Sequence, residues 1–198
     1  MIRTGQSEAV LSGGGTVITA THRLARQIRS RYDEAQATSG ARAWPSPDVL
    51  PLDAWLRRTW EELILWDAPK GRLRLLSDDE TRLVWRRVLA SDRQDHLDAG
   101  LIVPLVAAGW RLCQAWGIPP GQLHEAADSE DGRAFARWVD AYTGELEKHS
   151  WQDSDGLLNA LSLSAHVVRS GAAGQIGFAG FEPWTPALTS LATSLTEA

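Results

Sequence analysis

Two short apolar segments, one near each end of the chain, limit the fold more than any other feature. Residues 16–20 are a β-branched run typical of a buried strand, and residues 175–180 form a second strand-like segment. Thr21 can cap a helix after the first segment, and Thr185-Pro186 can open one after the second. Strands that each lead into a helix normally lie parallel in one sheet. We therefore predict an α/β fold with a small parallel sheet.

The chain between these segments is dominated by helical patterns. Ser77 and Glu80 have the spacing of a capping box, which predicts a helix start. Residues 97–116 are apolar on nearly every side, a pattern typical of the central helix of a bundle. The fold is therefore predicted to be predominantly helical.

This pattern divides the chain into two predicted parts. Residues 1–50 and 171–198 are predicted to form the α/β core, and residues 51–170 an inserted helical subdomain. Parallel sheets are usually built from more than two or three strands. We therefore expect a fragment of a larger α/β domain, able to self-associate through its incomplete sheet.

Composition narrows the class of protein further. The chain has 198 residues, of which 43% are hydrophobic and 23% charged, values typical of a globular protein. Residues 1–90 carry 14 basic and 11 acidic side chains, net +3, whereas residues 91–198 carry 6 and 14, net −8. Any polyanion contact is therefore expected in the first half.

Neither a membrane span nor a secretory signal is predicted. The longest nearly uncharged apolar stretch, residues 101–110, is far shorter than the roughly 20 residues of a membrane span. The N-terminus lacks the apolar core of a secretory signal. Cys113 is the single cysteine and is interpreted as a small buried hydrophobe. These observations predict a cytoplasmic protein.

The glycines before the first strand do not predict a nucleotide site. Residues 13–15 precede the strand, whereas a phosphate loop follows its strand and carries a lysine, and no lysine occurs before Lys70. We interpret residues 1–15 as a flexible leader. The chain alone is therefore predicted to lack nucleotide hydrolysis, catalytic residues and cofactors.

Three other residue sets are candidates for binding sites. Arginines at positions 23, 26, 29 and 31 either contact phosphates or form a solvated helix face. The ten tryptophans either stack on bases or, as their helical spacing favours, pack in the core. His149, Asp153 and Asp155 lie close in sequence but lack a ligand spacing, so no metal site is predicted.

Three segments carry a resemblance to a known family. They are VITATHRLAR at 17–26, WPSPDVLPLDAWL at 44–56 and AGFEPWTPAL at 179–188. In this order they resemble the N-terminal region of bacterial "probable DNA repair" proteins, which are related to the AddB-type subunit of helicase-nucleases. The resemblance spans nearly the whole chain and rests on moderately specific motifs.

The resemblance implies the first motor domain of a superfamily 1 helicase, with a helical subdomain inserted. A C-terminal PD-(D/E)xK nuclease domain, typical of the family, is absent from this chain. By this resemblance, the turn of Thr21, His22 and Arg23 would face single-stranded DNA, and Arg26 joins them as a predicted DNA-binding residue.

The sequence departs from a working motor at its second strand. Ala179 stands where AddB-type chains can carry an aspartate for magnesium, and the lysine for the β/γ-phosphates is missing too. Glu182 could replace the aspartate, although a carboxylate there is more often a helix-entry residue. The resemblance therefore implies an inactivated motor frame.

Together these points predict a non-hydrolysing, helicase-like scaffold that contributes to DNA binding in a repair complex. Its expected partners are single-stranded DNA and a helicase subunit. The alternative is a protein-interaction module whose acidic helical half docks a helicase partner without touching DNA.

Overall fold

The computed structural model describes residues 4–66, 73–92, 99–165, 168 and 174–197. The α-helices are α1 (Thr4–Ser12), α2 (His22–Thr38), α3 (Leu52–Trp66), α4 (Asp78–Ser91), α5 (Ala99–Trp116), α6 (Pro120–Ala126), α7 (Glu130–His149), α8 (Leu157–Ser162) and α9 (Pro186–Glu197). The strands are β1 (Thr16–Thr19), β2 (Val49–Pro51), β3 (Arg74–Leu75), β4 (Trp151–Gln152) and β5 (Ile176–Ala179).

The main sheet has three parallel strands in the order β2-β1-β5. Val17 pairs with Val49 on one side, and Ile18 pairs with Phe178 on the other. Val17 and Ile18 are fully buried, as expected of a central parallel strand. The predicted α/β, predominantly helical fold and both of its strands are confirmed. For residues 48–50 the sequence leaves a very short strand or an extended link open, and a third strand, β2, is present at Val49–Pro51.

The described residues group into two compact units. The first contains the three-stranded sheet and lies within residues 1–59 and 166–184, and the second lies within residues 60–165 and 185–198. The predicted division into a helicase-like core and an insertion at residues 51–170 stays a prediction.

The prediction of a flexible leader is wrong. α1 buries Val10 and Leu11, and the amides of Gly13, Gly14 and Gly15 donate to carbonyls of its last turns. Gly15 is required by packing, because a Cβ there would lie 2.3 Å from the carbonyl oxygen of Gln175. The glycines therefore end a helix and bring it onto the sheet.

The second unit is built around α4, α5 and α7. The predicted capping box opens α4: Ser77 accepts from the Glu80 amide, and Glu80 accepts from the Ser77 amide. Its core includes Trp85 stacked on Tyr142 at 3.8 Å, and Cys113 is buried there as predicted. Burial raises the pKa of the Cys113 thiol.

The pattern of residues 97–116 predicts the central helix of a bundle, but α5 is buried on one side only. One side of α5 packs in the core through Val103, Val106 and Trp110. The other side exposes Leu101 and Leu105 by 74% and 72%. Sequence periodicity could not separate these cases, because the exposed residues are as apolar as the buried ones.

Candidate functional site at the carboxyl edge of the sheet

Parallel strands bring two helix N-termini to one edge of the main sheet. β1 ends at Thr19 and α2 begins at His22, while β2 ends at Pro51 and α3 begins at Leu52. Because β1 and β2 are parallel neighbours, both helices start at their carboxyl edge. Exposed N–H groups and the helix dipole make such an edge attractive to anions.

Thr21 fixes the turn between β1 and α2. Its hydroxyl accepts a hydrogen bond from the Leu24 amide at 3.2 Å, and its carbonyl accepts one from the Thr19 hydroxyl at 3.0 Å. Thr19 is fully buried at the end of the strand. The predicted cap is confirmed, and these hydrogen bonds connect the end of β1 to the first turn of α2.

His22 pairs with an acid from the neighbouring helix. Its Nε2 lies 3.3 Å from Oδ2 of Asp53 in the first turn of α3, and both side chains are 71% exposed. The carboxylate can orient the imidazole, while the ring remains open to solvent. Sequence reasoning missed the pairing, because it needs the parallel packing of β1 and β2.

Arg23 and Arg26 are exposed on the first turns of α2. Within the described part of the chain, neither has a hydrogen-bond or ion-pair partner. Their spacing of three residues places them as neighbours on the helix surface. The two guanidinium groups on the first turns of α2, where His22 also lies, therefore form a positively charged group able to bind several oxygens of one anion.

The charged residues of α2 are distributed unfavourably with respect to the helix dipole. The first turn has no acid, and Asp33 and Glu34 lie in the second half of the helix. Basic residues near an N-terminus cost stability, typically about 0.3–1 kcal/mol each. Such an arrangement favours anion binding at the expense of helix stability.

Two other arginines, Arg29 and Arg58, make hydrogen bonds within the chain. Arg29 donates to the Val49 carbonyl, and Arg58 binds both Asp48 oxygens at 2.7 and 2.8 Å. Thr16 donates to the same carboxylate at 2.6 Å. Burial raises the pKa of Asp48, but the Arg58 and Thr16 hydrogen bonds outweigh it and hold the pKa below its usual range. These contacts tie the strands and helices of this unit together.

The end of β5 completes the edge. Ala179 is buried, and its carbonyl accepts from the Ala20 amide at 3.0 Å. Gly180 has a φ of +77°, and a Cβ there would lie 2.4 Å from Leu24 Cδ2. This glycine allows close approach of the strand end to α2. Glu182 follows it as an exposed side chain.

The four predicted site residues thus lie on one turn and the start of one helix, and contact between them and DNA stays a prediction. His149, Asp153 and Asp155 do not form a common site. Asp153 is 1% exposed and accepts from Trp110 and Tyr142, whereas Asp155 binds Arg111 at 3.0 Å. Among the described residues, no group of three or more His, Cys, Asp or Glu could hold a metal ion.

Comparison with known proteins gives one partial match and no family. No protein-family model matches the chain. An "Undecaprenyl-diphosphatase" of Synechococcus sp. (strain JA-2-3B'a(2-13)) is 35% identical over 96 residues. The match covers 44% of this chain, and the chain spans only about a third, 35%, of that relative's length.

This match corrects several predictions made from the sequence. The similarity is to an enzyme named for undecaprenyl diphosphate and not to a DNA repair protein. The resemblance to "probable DNA repair" proteins, the helicase-like scaffold function and the alternative of docking a helicase are therefore not retained.

The predicted cytoplasmic location is corrected on the same ground, because the match is to an enzyme named for a polyprenyl lipid. No single helix within the described residues is long and apolar enough to cross a membrane. Residues 100–116 and Pro120–Ala126 pass that test only as a pair, with a bend of 109° between them.

Proposed function

We propose that the carboxyl edge of the main sheet binds a diphosphate group, and that its ligand class is a polyprenyl diphosphate. The observation that carries this proposal is the pair of exposed arginines, Arg23 and Arg26, without partners in the described chain, beside His22. The partial match to an undecaprenyl-diphosphatase supports the choice of a lipid diphosphate over other anions.

The chemistry of the site suits a diphosphate. Each arginine presents a planar fork of donors that can bind two phosphate oxygens. Two phosphoryl groups can thus be bound by neighbouring side chains of one helix, with the α2 dipole adding to the attraction. Asp53 keeps His22 beside this group without neutralising either arginine.

The test uses calorimetric titration of the full chain with inorganic diphosphate at low salt. Each charge-assisted contact to phosphate is worth about 1.5–3 kcal/mol, so R23A/R26A is expected to weaken binding at least about 100-fold. R31A is the matched control, because Arg31 is an exposed arginine further along α2 and away from the edge. The proposal fails if both variants bind equally well, or if the wild-type chain does not bind.

A second experiment addresses the lipid. A short-chain polyprenyl diphosphate in detergent is expected to bind more tightly than inorganic diphosphate, and the corresponding polyprenyl alcohol is expected not to bind. Equal binding of the alcohol would place recognition in an apolar surface and not at Arg23 and Arg26.

A further inference from the structure

One face of α5 is apolar and exposed along its whole length. Leu101, Leu105 and Leu112 are 74%, 72% and 60% exposed, and Trp116 is 50% exposed. With the exposed Ala108 between them, these residues follow steps of four and three that align on one side of a helix. We call these five residues the α5 stripe.

The stripe differs from the isolated leucines found elsewhere on the surface. Arg111 is the one charged residue in α5, and it is bound to Asp155 of its own chain at 3.0 Å. Leu65 and Leu163 are 81% and 84% exposed, but Leu65 lies on α3 and Leu163 directly follows α8. Single exposed leucines are normal, whereas a contiguous uncharged stripe marks an interaction surface.

The four large residues of the stripe are spaced symmetrically about the bond between Ala108 and Gly109. Leu105 and Leu112 are equidistant from this point, and so are Leu101 and Trp116. A twofold axis there would set two α5 helices antiparallel, with Leu105 opposite Leu112 of the second copy. The small, exposed side chain of Ala108 near the centre would allow the helices to approach closely. An isologous interface requires this self-complementarity.

The exposed apolar area reaches the lower limit for a specific dimer when it is completely covered. Complete burial of the exposed parts of the four large side chains would remove roughly 500 Å² per chain, hence about 1,000 Å² for two copies, from water. No lysine, aspartate or glutamate of α5 would be desolvated, since the helix contains none.

We propose that the α5 stripe binds a second copy of this chain in an antiparallel, twofold arrangement. The partner is a copy of the same chain, because the symmetric spacing matches the stripe itself. The inference is independent of the diphosphate site, which lies on the other unit.

The test is sedimentation equilibrium of the full chain over a range of concentrations, with circular dichroism to verify folding. The wild type is expected to reach twice the 21.7 kDa of one chain. L105E is expected to raise the dissociation constant of the dimer at least about 100-fold, since a twofold dimer contains the substituted residue twice. L163E, at an equally exposed leucine off the stripe, should dimerise like the wild type.

A charge swap tests the antiparallel register. In L105E/L112K each new glutamate would face a new lysine of the other copy, so dimerisation should recover relative to L105E and become salt-sensitive. A monomeric wild type overturns the proposal, as does a dimer unaffected by L105E or a double variant no better than L105E. A monomer that floats with lipid vesicles would identify a membrane surface as the occupant and also overturn it.

Discussion

The sheet edge and the helical unit each contain an aspartate paired with an aromatic or imidazole ring, but in opposite surroundings. Asp53 is 71% exposed and bonded to His22. Asp153 is 1% exposed and accepts from Trp110 Nε1 at 2.7 Å, the Tyr142 hydroxyl at 2.8 Å and the Gly156 amide at 2.9 Å. A buried acid with several donors stabilises the fold, whereas an exposed pair beside unpaired cations is available to a ligand.

The surroundings of Asp153 also explain the pKa shifts of two neighbouring groups, Tyr142 and Asp155. Burial, and then the nearby Asp153 carboxylate, raise the pKa of Tyr142, which therefore keeps its hydroxyl proton as a donor. Burial raises the pKa of Asp155 as well, and its hydrogen bond from Arg111 opposes that effect. Each shift follows from burial in the helical unit, and none marks an open site.

The largest expected effect comes from making the same substitution in both regions. D153A leaves the indole, the phenol and the Gly156 amide without an acceptor in the core, which should cost about 3–5 kcal/mol. D53A, the matched control, should cost under about 1 kcal/mol because the pair is exposed. Urea unfolding measures both, and similar losses would contradict the contrast between the regions.

An intermediate effect is expected at the ion pair of Arg58 with Asp48, which are 39% and 38% exposed. With solvent screening, R58A should cost about 1 kcal/mol at neutral pH. The pKa of Asp48 is lower in the folded chain, so this stability is present above the carboxyl's ordinary pKa and is lost as pH falls through the folded pKa. R58A should therefore flatten the loss of stability below about pH 4, whereas an unchanged profile would contradict the assignment.

A second carboxylate with a lowered pKa, the exposed Glu80, lies in the helical unit. Hydrogen bonds from Arg74 and Ser77 lower the pKa of Glu80 to about 2. The contribution of this carboxylate is thus present above its ordinary pKa and is lost as pH falls toward 2. Thermal melts at stepped pH should show a shallower acid loss for E80Q, with D79N as the control on the same helical turn.

The smallest expected effect is a gain in stability. R23E places an acid at the N-terminus of α2, where the first turn has none, and should raise stability by about 0.3–1 kcal/mol. The same change should abolish diphosphate binding. R31E, in the middle of the helix, should show neither effect, and a loss of stability in R23E would show that Arg23 has a structural role.

The sequence predicted the local features of the fold well. The strands at 16–20 and 175–180, the Thr21 cap and the Ser77–Glu80 capping box all depend on patterns within a few residues, and all were confirmed. The sequence does not predict α1, because a run of three glycines is typical of a flexible segment, although here their amides cap the helix.

The candidate site was predicted in part. Thr21, His22, Arg23 and Arg26 were identified from one segment, but Asp53 lies 31 positions away from His22 and meets it only through the sheet. The sequence also could not show which arginines are structural. Arg29 and Arg58 differ from Arg23 and Arg26 only in their three-dimensional partners.

The most direct test of the account is a competition at the sheet edge. The full chain is loaded with a fluorescent short-chain polyprenyl diphosphate, and inorganic diphosphate or a single-stranded oligonucleotide of equal charge is added at fixed salt. The account predicts that diphosphate displaces the probe from the wild type and from R31A, and that R23A/R26A does not take up the probe. Displacement by the oligonucleotide at far lower concentration, or full probe binding by R23A/R26A, would contradict the assignment of this edge to a lipid diphosphate.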